Sequence, residues 1–179
     1  MAKIDIEDQI RFDRELVYQT FRDHLAELLP YLPAVKDIIV ESYDRDGDRV
    51  AIVNLWKAQD DDIPTVAEKF ITPEMMQWTD RALWRDADFE CDWDMEVGFL
   101  AEAISCSGTT SYLSSGDRTS VRIRGELHVD AKKIPGVPRL LAGKIGNIVE
   151  AFVVKMITPN LKEVNRGMET FLTRKGSES

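Results

Sequence analysis

With 179 residues, 44% of them hydrophobic, the chain can build one domain around its own core and is too apolar to stay disordered. A net charge of −9 repels a phosphate backbone and excludes nucleic acid as a partner. The longest apolar stretch, Ile148 to Ile157, is interrupted by Glu150 and Lys155 and falls short of the ~20 residues that span a bilayer, which excludes integral membrane association.

In chain order, Ile4, Ile6, Ile10 and Phe12 fall on alternate positions and predict a first strand. Asp13 then caps a helix carrying Leu16, Val17, Phe21, Leu25, Leu28 and Leu29 at three- and four-residue spacings. Pro30 and Pro33 break it, and the expectation is two short helices with a bend near His24 to Ala26. Asp37–Asp44 and Arg49–Ala58 read as strands around an Asp46-Gly47 hairpin, with positive φ expected at both central residues. The insert Gln59–Phe70 follows, with one or two helical turns expected in it.

Met76–Trp84 is the next strand, with Met76, Trp78, Asp80, Ala82 and Trp84 on one face. Phe89–Phe99 alternates cleanly, with Phe89, Cys91, Trp93, Met95, Val97 and Phe99 inward and Glu90, Asp92, Asp94 and Glu96 outward. Ile104–Tyr112, a Ser114–Asp117 turn, and a strand through Val121, Ile123, Leu127 and Val129 complete the sheet, which Ile134-Pro135-Gly136 ends. Arg139–Thr173 reads as one long helix kinked at Pro159. Its apolar stripe runs through Leu141, Ile145, Ile148, Val149, Phe152, Val153 and Met156. Beyond the proline it shifts to Leu161, Val164, Met168, Phe171 and Leu172. Residues 1–179 form a single domain with a frayed tail at 173–179.

These elements make an α+β domain: a curved antiparallel sheet of about six to seven strands around one long C-terminal helix, with two short helices after the first strand. That order resembles the helix-grip fold of the START-like superfamily, which includes birch-pollen-allergen proteins, polyketide cyclases and lipid-transfer domains. The resemblance is carried by Leu28-Leu29-Pro30-Tyr31-Leu32-Pro33-Ala34-Val35, the Asp46-Gly47 hairpin and the amphipathic helix to Phe171-Leu172. Ile63–Phe70 and Ile134-Pro135-Gly136 are similar to the lipid-transfer branch. It implies a hydrophobic small molecule or lipid held between sheet and helix.

The expected ligand-facing set is Trp78, Asp80, Trp84, Trp93, Met95, Cys106, Tyr112, Val149, Phe152 and Met156. Trp and Tyr combine large apolar area with one hydrogen bond each, and Met fits irregular shapes. Asp80 stands out, because a carboxylate among tryptophans must be paired, hydrogen-bonded or neutral. With Tyr112 it could also serve a cyclase or dehydratase type of reaction; a protein-binding module without a cavity is the third alternative. The acidic ladder Glu90–Glu96 reads as a solvated outer face neutralised by Arg122, Arg124 and the neighbouring strands. His24 and His128, the two histidines, complete no catalytic arrangement, and Cys106-Ser107-Gly108 lacks the context of a nucleophile elbow. No cofactor motif and no metal-ligand set is present. The N-terminus lacks the apolar segment of a signal peptide, so the expected location is the cytoplasm, with Cys91 and Cys106 as free buried thiols. The pocket entrance is expected beside Gln59–Thr72 and the start of the long helix.

Overall fold

The computed structural model describes residues 1–59, 76–98 and 101–178. Within α2, introduced below, the side chains of Val149, Phe152, Val153 and residues 155–160 are outside that description, so the expectations for Val149, Phe152 and Met156 fall outside it, as does most of the insert. Seven strands, β1 (Ala2–Ile10), β2 (Val35–Asp46), β3 (Arg49–Ala58), β4 (Gln77–Arg85), β5 (Glu90–Glu96), β6 (Ile104–Ser115) and β7 (Arg118–Val129), form one antiparallel sheet. Its spatial order is β1-β7-β6-β5-β4-β3-β2, so the chain closes by laying its last strand against its first. Helix α1 (Arg14–Asp23), a 3-10 helix (Leu25–Tyr31) and the 36-residue α2 (Ala142–Ser177) complete the helix-grip fold.

Period-two patterning decides which sheet face is dry. Ile4, Ile6 and Ile10 of β1, Val50, Ile52 and Trp56 of β3, and Val121, Ile123, Leu127 and Val129 of β7 are all buried together. Asp13 caps α1 by accepting a hydrogen bond from the Leu16 amide at 3.1 Å. The helix buries Val17, Tyr18 and Phe21 and stops at His24, where the expected bend divides it from the 3-10 helix containing Pro30.

Three local expectations change. In the β2–β3 turn, Asp46 pairs with Arg49, so the central residues are Gly47 and Asp48. Gly47 alone has positive φ (61°), which is the II′ pattern rather than the I′ turn an Asp-Gly centre would make. In β5, Phe89 is a turn residue at φ 54°, and regular pairing starts at Glu90. Its ring is held at 5.2 Å from Tyr18 with the Arg14 guanidinium 3.9 Å above it, contacts that offset a backbone conformation costly for an aromatic residue.

The third concerns α2, which is one continuous helix about 54 Å long by its residue count, starting at Ala142 and running through Ser177. Leu141 and Ile148, expected in its core-facing stripe, are exposed at 51% and 59%. Ala142, Gly146 and Glu150, spaced four apart, are buried instead. This face lies close to the end of β7: a Cβ on Gly146 would meet the Val129 carbonyl oxygen at 3.4 Å, in ordinary contact, and Glu150 accepts the Val129 amide at 3.1 Å. Past Pro159 the stripe is as expected, with Met168 and Leu172 buried and Leu161, Val164 and Phe171 packed against the core.

Candidate functional site

The antiparallel register arranges the inner sheet face in cross-strand rows. One row runs Asn54, Asp80, Met95, Cys106 and Leu127 from β3 to β7. The next runs Ile52, Ala82, Trp93, Gly108 and Gly125, and a third Val50, Trp84, Cys91, Thr110 and Ile123. Beyond the first row, Trp56 faces Trp78, their rings stacked with centroids 5.7 Å apart. Asp80 therefore lies half-buried on the inner face, two residues from Trp78 and four from Trp84 along its own strand.

Burial pushes the Asp80 carboxyl up to about 6, with the nearby Asp94 charge adding to the shift. Opposing this, Asn54 donates its side-chain amide to Asp80 Oδ2 at 3.4 Å. The Trp56 indole N–H also favours the ionised form, but it stops short of hydrogen-bond geometry. Asn54 Oδ1, Trp56 Nε1 and Trp84 Nε1 are buried without a protein partner. Leaving such a group without a partner costs ~1–3 kcal/mol, which water or a bound polar group can offset. A cleft of about 110 Å³ reaches this row, lined by Arg22 to Glu27, Val40, Tyr43, Ile52 and Asn54. It has room for several waters and opens at the junction of α1 with the 3-10 helix. The expected entrance involved the insert, whose residues 60–75 lie outside the described chain.

The other expected residues divide by surroundings. Trp93 donates its indole N–H to Thr110 Oγ1 at 3.1 Å, and its ring covers the Gly108–Gly125 pair, so its contacts belong to the sheet. Tyr112 is enclosed by Tyr18, Phe21 and Trp84 at centroid distances of 5.4, 5.7 and 6.0 Å, and burial raises its hydroxyl pKa. Met95 and Trp78 are partly buried beside Asp80 and Trp56. Cys106 is buried next to Met95, its thiol pushed up by burial to about 11, and burial raises Cys91 as well. Burial thus favours the neutral thiol at both positions. Asn54, Trp56 and the orphaned Trp84 N–H were not singled out from the sequence. The signal was available for Asn54, a polar residue on the inward alternation Ile52-Asn54-Trp56 that resembles the pattern around Asp80.

On the outer face, carboxylates of the acidic ladder pair with the neighbouring strand β4, as expected, whereas Arg122 and Arg124 take no part. Arg85 pairs with Glu90 and, at 2.9 Å, with Asp92, while Arg81 pairs with Glu96 at 2.8 Å. Arg122 and Arg124 turn the other way, to Glu7 and Asp5 of β1. Among the described residues no cluster of three potential ligands could hold a metal ion. His24 lies exposed against Glu27, and His128 on the outer face near Glu150.

The fold is shared with solved structures of several activities. An aromatase/cyclase from Streptomyces sp. R1128 superposes with a TM-score of 0.63 at 12% identity, covering 94% of this chain and 93% of that one. Norcoclaurine synthase from Thalictrum flavum gives 0.63 at 14% identity, covering 96% and 86%. A START superfamily protein from Mycobacterium smegmatis gives 0.56 at 11%, covering 96% and 97%. No model of a known family and no curated protein matches the sequence. At these identities the likeness establishes the helix-grip fold of the START and birch-pollen-allergen type. It leaves the chemistry to the side chains.

Proposed function

We propose that the chain binds a hydrophobic small molecule, lipid-like or polycyclic, between the sheet and α2, and that the molecule presents a hydroxyl or similar group to Asp80. The observation that carries this reading is a set of polar groups on one inner face: the Asp80 carboxyl with pKa about 6 and the unpartnered Asn54 amide oxygen in one cross-strand row, with the unpartnered indole N–H groups of Trp56 and Trp84 in the rows to either side. A ligand with one polar end would satisfy them while its apolar body covers the tryptophans. The two free thiols fit a reducing compartment such as the cytoplasm.

A second reading, a cyclase or dehydratase acting in the same place, is favoured by one specific observation. A carboxyl held near 6 exists in both protonation states close to neutral pH and can pass a proton in either direction. Native mass spectrometry of the protein purified from its own host tests the binding reading. A bound mass, or uptake of fatty-acid or polycyclic probes at one equivalent, is expected. A protein that is empty and takes up neither class contradicts it.

A further inference from the structure

Through most of the sheet, basic side chains are matched to carboxylates: Arg22 to Asp86, Arg81 to Glu96, Arg122 to Glu7. One corner departs from this. From Ala131 to Val149 the sequence carries Lys132, Lys133, Arg139 and Lys144 and no carboxylate, in a chain whose net charge is −9. All four cations are exposed, and none forms an ion pair with a described residue. Asp130, the nearest acid before them, is occupied in capping the short turn Ala131–Lys133 through the Lys132 amide at 3.1 Å.

The same corner exposes the largest apolar side chains of this part of the molecule. Leu140 is 99% exposed at the entry to α2, and Leu141 and Ile148 follow. Leu141, Lys144 and Ile148 are three and four residues apart, so they share one side of the helix. That side is opposite the one on which Ala142, Gly146 and Glu150 pack against the end of β7 and the 131–133 turn. The first turns of α2 thus have a docked face of small residues and a free face of leucine, isoleucine and lysine.

Leucines ringed by cations that pair with no described carboxylate match a surface that is anionic outside and apolar just beneath, and a bilayer with acidic lipids has that layering. We infer that this corner is a peripheral docking site for anionic membranes, with Leu140, Leu141 and Ile148 entering the acyl boundary and Lys132, Lys133, Arg139 and Lys144 facing the headgroups. The local charge overrides the acidic whole because the attraction falls off within about 8–10 Å at physiological salt. The inference does not depend on the ligand-binding reading, since it uses none of the interior residues.

Co-sedimentation with vesicles of phosphatidylcholine alone, or with phosphatidylglycerol as three lipids in ten, tests it on the full chain. Binding to the anionic vesicles, weakened by added salt and weak on phosphatidylcholine alone, is expected. Leu140→Ser with Leu141→Ser should cut it roughly tenfold or more, and each cation removed in Lys132→Gln with Lys133→Gln about fivefold. Melting temperatures should hold, because the altered side chains are exposed. Equal binding to both vesicle types, no binding to either, or binding indifferent to the leucine pair would overturn the inference. So would a dimer in solution that the leucine variant converts to monomer, which would make the face a contact between copies.

Discussion

Folding withdraws the Asp80 carboxyl from most of its water and raises its pKa from an ordinary 3.8 to about 6. The sign of the stability effect follows. Below pH about 4 the carboxyl is protonated folded or unfolded and contributes no penalty. As pH rises from about 4 to 6 the unfolded chain gives up its proton first, so stability falls, and above 6 the loss is constant at ~2–3 kcal/mol. Asp80→Asn should therefore be more stable than the parent at pH 7 by ~1–3 kcal/mol, with the difference vanishing near pH 3.5. Denaturant unfolding at both pH values checks this; a variant less stable at pH 7 would contradict it. At this scale Asp80 was legible because the strand pleat places it with Trp78 and Trp84. Trp84 was in the expected set for its ring and its one hydrogen bond, but that its N–H and that of Trp56 lack a protein partner could not be read without their surroundings.

Among the elements, the middle of the sheet depends on Trp93 lying across two glycines. A Cβ on Gly125 would stand 2.7 Å from Trp93 Cη2 and 2.6 Å from the Ser107 carbonyl oxygen, and one on Gly108 would strike Trp93 Cζ2 at 2.6 Å and the Arg124 carbonyl oxygen. Since backbone as well as ring is in the way, Gly125→Ala should cost ~3 kcal/mol or more, read as a lower melting temperature. An unchanged melting temperature would mean that β6 and β7 can part at that row. The alternation of β5 announced Trp93 as inward; its engagement with glycines on two later strands could not be seen without the register. Helix α2 failed in an instructive way. Its sequence stripe follows hydrophobicity, whereas the face that docks on β7 follows size, with Ala142 and Gly146 allowing close approach. Leu141 and Ile148 were left on the outside, where the docking face for a bilayer is inferred.

At the scale of the whole molecule, strand order and the long helix were readable because each strand alternates and each break carries Gly, Pro or an Asp-rich turn. Chain closure by β7 against β1 was not legible, as strand partners far apart in sequence leave no local mark. The location of the polar row was half legible: Asp80 was, whereas Asn54 needed the β3–β4 register to come beside it. The central claim is that this row selects the polar end of a hydrophobic ligand. It is tested most directly by comparing naphthalene with 2-naphthol, which differ by one hydroxyl, through quenching of tryptophan fluorescence in the parent and in Asp80→Leu. The parent should bind 2-naphthol roughly tenfold or more tightly than naphthalene, as expected for a hydrogen bond to a charged partner, and Asp80→Leu should bind the two alike. Equal binding of both by the parent, or discrimination that survives Asp80→Leu, would contradict the account.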